Sequence, residues 1–143
     1  WGDFIAIGGG GWDWFALNLS DGSDLMLSFV RAKDGSFPLV YGTWVGVNGV
    51  VRHIEGSQIT LTSLGTWTSP HTGATWPSGW RVQIAQIGLD VTVTPELADQ
   101  ELNTLESTGV IYWEGANSVV GSLAGVPVTG RSYVELTGYA TLR

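Results

Sequence analysis

Glu114 and His71 are of the types that move protons, and both lie in stretches rich in aromatic residues. Glu114 lies in the run Tyr112-Trp113-Glu114-Gly115. On a strand, Tyr112 and Glu114 share one face and Trp113 takes the other. A carboxyl placed among rings and shielded from water has its pKa raised, which suits a general acid that protonates an alkene. The competing reading is a glutamate at a strand end that bonds a turn or an arginine such as Arg31 or Arg81. His71 lies in GTWTSPHTGATWPSGW, residues 65–80. An imidazole with an ordinary pKa of about 6.5 could shuttle a proton; a hydrogen-bonded surface histidine in a Pro-Gly loop is the alternative. In the same stretch Trp76 and Trp80 read as pins that fix the loop, and Trp67 as a pocket residue.

Other chemistries find little support. Asp99 and Glu101 are two residues apart, which does not set the separation a glycosidase pair needs. They read as helix caps or acceptors of backbone N–H bonds. The runs Asp21-Gly22-Ser23-Asp24 and Lys33-Asp34-Gly35 are hairpin turns whose carboxylates need no further role, and a calcium loop demands a longer alternation of oxygens. Gly8–Gly11 lacks the following helix and the Lys-Ser/Thr of a phosphate loop. With no cysteine there are no disulfides, thiolate metal sites or cysteine nucleophiles. Nothing in the chain calls for a metal or an organic cofactor.

The elements that must position these residues read as strands. The chain has 143 residues, enough for one domain over 1–143. Apolar residues make up 43% and charged ones 13%, the balance of a globular protein. A net charge of −7 with six scattered basic residues argues against nucleic acid or an anionic membrane surface as partner. No apolar run reaches the roughly 18 residues of a membrane-spanning helix. Apolar and polar residues alternate nearly throughout, broken by turn signals, which predicts about eight to ten antiparallel strands in a barrel or sandwich. Segments 12–20 and 25–32 read as one hairpin, and 38–47 and 50–56 as another, with Asn48-Gly49 supplying the positive φ values of a tight turn. Further strands fall at 57–69, 80–87, 89–95, 109–123 and 132–142. The polar segment 96–107 is the one place where a helical turn could sit.

Eight tryptophans are unusual for this length. Core packing accounts for roughly half on general burial preferences, and the remainder suggest an aromatic-lined cavity or a stacking surface. Residues 12–19 are apolar on both faces, with Trp12, Trp14 and Ala16 against Phe15, Leu17 and Leu19. Each side is therefore expected to be covered by a second layer, a partner or a ligand. The expected binding wall comprises Trp12, Trp14, Trp44, Trp67, Tyr112 and Trp113 around a water-poor hollow.

Several motifs occur together in one order: Trp1-Gly2-Asp3-Phe4, residues 11–36, Gly42-Thr43-Trp44, residues 67–80, 94–102, 109–121 and 133–140. In this order they resemble the carboxy-terminal lipocalin-like domain of the AttH and carotenoid 1,2-hydratase (hydroxyneurosporene synthase) family, over almost the whole chain. The resemblance implies a calycin-type barrel and an apolar polyene or terpenoid-like ligand, since family members hydrate carotenoid alkenes or cyclise polyenes by intramolecular Diels–Alder reaction. It also implies a first barrel-like domain ahead of the Trp1-Gly2 pair, where this chain begins. The hydratases' acid maps just before that pair and onto the strand Leu25–Phe29, which here offers Met26 and Ser28. The expected function is binding of an apolar polyene-like molecule in a barrel cavity, with hydration, isomerisation or cyclisation at C=C bonds. Indoles would stabilise a developing cation, and Glu114, with His71 as shuttle, would move the proton. Cyclisation needs only positioning. Two other classes stand beside this one. One is a carbohydrate-binding module that uses exposed tryptophans. The other is a structural half-domain completed by a first domain, a partner chain or a second copy.

Overall fold

The computed structural model describes residues 9–140. Three of its hairpins close on one local device. Ser20-Asp21-Gly22, Lys33-Asp34-Gly35 and Val47-Asn48-Gly49 each end in a glycine with φ of 88°, 85° and 77°. The Asp or Asn side-chain oxygen of each accepts the backbone N–H two residues on, at 2.9, 2.9 and 3.1 Å. These are three-residue loops with a glycine in the left-handed region, a geometry that lets the strands keep their twist. Asn48 itself stays at negative φ, so the expected two-residue Asn-Gly turn is replaced by the longer loop. The bond from Val50 N–H to the Asn48 amide oxygen favours that outcome.

The turns connect strands β1 (Gly9–Leu19), β2 (Asp24–Ala32), β3 (Leu39–Val45) and β4 (Val51–Glu55). After a single 3₁₀ turn, Gly56–Gln58, come β5 (Ile59–Ser63), the short ribbon β6 (Thr66–Thr68) and β7 (Thr75–Pro77), β8 (Trp80–Ile84) and β9 (Leu89–Pro95). The chain finishes with β10 (Glu101–Thr104), β11 (Val110–Leu123) and β12 (Val126–Thr137). The main sheet runs β4-β3-β2-β1-β12-β11-β9-β8-β5, with β10 also on β11. Every pairing is antiparallel, and the sheet rolls into a nearly closed, ten-stranded barrel whose open seam lies between β4 and β5. The alternation left a barrel or a sandwich open, and the lipocalin-like barrel that the family resemblance implies is the fold that forms.

No α-helix occurs among the described residues. Segment 96–107, where a helical turn was expected, instead holds β10, paired with β11 from Glu101↔Trp113 to Thr104↔Val110. That pairing is non-local, and local propensity cannot register it.

The inner face of β1 carries Asp13, Phe15, Leu17 and Leu19, all buried. Across the lumen Phe15 meets the ring of Trp80 edge-on at 5.4 Å, and Trp80 meets Trp113 at 5.8 Å. Indoles therefore occupy the middle of the barrel, each fully buried large side chain contributing about 1.5–3 kcal/mol. The turn from β11 to β12 is two residues, Ala124-Gly125, with φ of 50° and 80°. This is a primed turn in which an alanine holds a conformation that costs an L-residue roughly 1 kcal/mol. Ala124→Gly is expected to raise the midpoint of thermal unfolding by about 2–4 °C, read by circular dichroism. An unchanged or lower midpoint would contradict strain at this turn.

Candidate functional site

Strands β1, β12 and β11 carry chemistry on both faces. Trp12 and Trp14 alternate with Asp13 and Phe15, so both indoles lie on the outer face and are half-buried. The strand register sets Trp14 opposite Glu135, and Glu135 opposite Glu114. Trp12 Nε1–H donates to Glu135 Oε1 at 2.5 Å. Its ring meets Tyr112 edge-on at 6.2 Å. The Tyr133 hydroxyl is close enough to the Glu114 carboxyl to influence its ionisation. Partial burial pushes the Glu114 carboxyl above the usual carboxylate range, the like charge of Glu135 adds to that, and the Tyr133 hydroxyl opposes it. The structure thus brings together four of the residues singled out in the sequence: Trp12, Trp14, Tyr112 and Glu114. Glu135 and Tyr133 join them, and only the cross-strand register could have shown it.

The other expected residues lie elsewhere. Trp113 points into the core and donates its indole N–H to the Ala98 carbonyl at 2.9 Å. Trp44 packs half-buried against the core, with the Arg52 guanidinium 5.3 Å from its ring centre. Trp67 sits opposite Trp76 in the β6–β7 ribbon. His71 Nε2 is 2.9 Å from Asp99 Oδ2, and both side chains are about half exposed.

The stretch 65–80 is held by one carboxylate. Glu101 accepts from Ser69 Oγ, Thr72 Oγ1 and Trp76 Nε1, each at 2.8 Å. Ser69 Oγ in turn accepts the N–H groups of His71 and Thr72. Trp76 and Ser69 are buried, so removing Glu101 strands their donors. Glu101→Ala is expected to cost about 2–4 kcal/mol in urea unfolding, from buried donors left unpaired. A loss under about 0.5 kcal/mol would show that water replaces those bonds without penalty.

On the inner face lies a pocket of about 440 Å³, lined by Phe29, Val40, Ile59, Leu61 and Trp80. Asp13 and Tyr139 line it too. Arg31 donates to Asp13 Oδ1 at 2.9 Å, and the Tyr139 hydroxyl to Asp13 Oδ2 at 2.8 Å. The guanidinium also lies 3.8 Å from the Tyr139 ring centre and donates to the carbonyls of Gly10 and Thr137. Burial pushes the Asp13 carboxyl up, and Arg31 and Tyr139 pull the other way. The Tyr139 hydroxyl is pushed far up by burial and by Asp13. Glycines make this convergence feasible. A Cβ on Gly10 would stand 2.3 Å from the Ala32 carbonyl oxygen, and one on Gly138 only 2.0 Å from that of Gly10. Close backbone approach explains Gly10 and Gly11, and a left-handed φ of 65° explains Gly9. Among the described residues no three His, Cys, Asp or Glu side chains gather to hold a metal.

A nearly closed antiparallel barrel, filled with indoles and bearing an aromatic, carboxyl-carrying outer face, defines a lipocalin-like β domain. The chain belongs to the AttH-like family, whose pattern matches residues 1–139. Among solved structures it is similar to an AttH protein from Nitrosomonas europaea, with 37% identity over 92% of this chain and 39% of that one, and a TM-score of 0.79. It shares the fold of kievitone hydratase from Nectria haematococca at 23% identity, covering 92% of this chain and 40% of that one, with a TM-score of 0.74. The chain therefore spans about two-fifths of the length of these two proteins. No curated protein sequence matches it.

Proposed function

We propose that the outer face of β1, β12 and β11 binds an apolar, unsaturated small molecule, and that Glu114 moves a proton at its C=C system. One observation carries this reading: Glu114 stands opposite Glu135, within a frame of Trp12, Trp14, Tyr112 and Tyr133. Partial burial and the like charge of Glu135 make the Glu114 carboxyl keep its proton to a higher pH than it would alone. The Glu114 O–H bond breaks as a C–H bond forms on the alkene, leaving a carbocation over the indole faces, which stabilise positive charge. Water then adds and returns a proton to the pair, or an adjacent C–H proton is lost and the double bond has moved. Either closing step restores the acid. His71, paired with Asp99, has no part in this reaction.

Dehydration of the carboxyl pair requires a cover. We assign that role to the portion of AttH-like proteins beyond this chain's two-fifths, which accounts for a β1 that is apolar on both faces. A sugar-binding platform is less well supported, because Trp12, Trp14, Trp44 and Trp67 are half-buried and Trp76, Trp80 and Trp113 fully so. A paired titration with a conjugated polyene, all-trans-retinol, tests the reading through energy transfer from tryptophan. Trp12→Ala combined with Trp14→Ala is expected to weaken binding at least tenfold, or about 1.4 kcal/mol, while Leu61→Trp, which fills the inner pocket, leaves it unchanged. The reverse pattern would refute an outer site.

A further inference from the structure

The inner pocket lies across the sheet from the Glu114 face, and the proposal about that face leaves it without a role. We propose that it is a second, independent small-molecule site, built for a compact, neutral, largely apolar guest that presents one hydrogen-bond donor to Asp13. Four observations support this. First, the volume of about 440 Å³ falls within the range of small-molecule sites. Secondly, it is a gap that the lumen's own side chains leave. The rings of Phe15, Trp80 and Trp113 interlock deeper in the barrel, whereas Phe29 and Val40 on one wall and Ile59 and Leu61 on the other stand apart across the open seam. β4 and β5 share no ladder there, and the pocket is open to solvent.

Thirdly, the polar end of the pocket is pre-organised but has capacity to spare. Arg31 occupies one position on Asp13 Oδ1, and Tyr139 one on Oδ2. A carboxylate oxygen accepts two bonds, so a donor arriving from the pocket side finds a lone pair held in place. Fourthly, the charge balance selects against ions. Arg31 already compensates Asp13 within a buried pair. A cationic guest would gain no uncompensated charge there, and an anionic one would meet the carboxylate in apolar surroundings. A hydroxyl on a flat or compact hydrocarbon frame satisfies all four conditions.

Equilibrium dialysis of the protein with 2-naphthol, naphthalene and 2-naphthoate tests the assignment. 2-Naphthol is expected to bind with one-to-one stoichiometry. Naphthalene, which lacks the donor, should bind about fivefold more weakly, the worth of one hydrogen bond, and 2-naphthoate should not bind measurably. Leu61→Trp and, separately, Val40→Phe should each reduce 2-naphthol binding more than tenfold with the far-ultraviolet circular dichroism unchanged. The Trp12→Ala, Trp14→Ala double variant should leave it within twofold, so this site and the outer one succeed or fail separately. Failure of 2-naphthol to bind, its retention in both pocket-filling variants, or its loss in the double variant would overturn the proposal. Equal binding of 2-naphthoate would overturn the assignment of a neutral donor.

Discussion

Glu114→Gln is expected to reduce turnover of an unsaturated substrate by at least a hundredfold while leaving its binding within about twofold. Glutamine keeps the size of the side chain and a carbonyl beside the Tyr133 hydroxyl, but it has no acidic proton. General acid catalysis by a positioned group contributes about 10²–10⁴ in rate, so the loss falls on the chemical step. The pH profile gives a second readout. The acid must carry its proton, so activity falls as pH rises through the elevated pKa of Glu114. The like charge of Glu135 is one cause of that elevation. Glu135→Gln should therefore move the falling limb to lower pH, with activity at acid pH the least affected. Full activity in Glu114→Gln, or a profile that ignores Glu135, would remove the pair from the mechanism.

Arg31→Met is expected to be the most destabilising single change outside the hydrocarbon core, at about 3–5 kcal/mol, because it leaves the Asp13 carboxyl buried without its counter-charge. For a domain of this size that corresponds to a fall of roughly 10 °C in the unfolding midpoint. Arg31 joins three parts of the fold, since it bonds Asp13 and Gly10 on β1 and the Thr137 carbonyl of β12 while stacking on Tyr139. The pH dependence has a definite sign. Burial holds the folded pKa of Asp13 above its unfolded value even with Arg31 present. The fold thus favours the protonated carboxyl, and its stability contribution is complete below the unfolded pKa and declines as pH rises through the folded one. Loss of Arg31 raises the folded pKa further, so the variant's deficit should be smallest near pH 4 and grow toward neutrality. Adding Asp13→Leu should recover at least half of the loss, because no buried charge remains. A deficit below about 1 kcal/mol, or one that shrinks toward neutrality, would show that the pair is not load-carrying.

Much of the fold was legible because its signals are local. Asp21-Gly22, Asp34-Gly35 and Asn48-Gly49 announced three turns through side-chain acceptors and left-handed glycines. Alternation along 12–19 correctly separated Trp12 and Trp14 from Phe15 and Leu17, but hydrophobicity could not say which set faces the lumen, as both are apolar. The inward set is the one that includes Asp13, a polar residue that would ordinarily mark the solvent side. Its partners Arg31 and Tyr139 lie 18 and 126 positions away, out of reach of any local pattern. Glu114 stood out by its aromatic neighbours, whereas Glu135, at the other end of the pair, became visible only through the β11–β12 register. Glu101 read as a helix cap because its three donors come from a loop at least 25 residues earlier.

A crystal structure of the protein in complex with a conjugated polyene would show directly which face of the barrel holds it. The expected result is an elongated ligand laid across Trp12, Trp14 and Tyr112, with a double bond within reach of the Glu114 carboxyl. A polyene threaded among Phe29, Leu61 and Trp80 inside the barrel, with the Glu114 face bare, would contradict it.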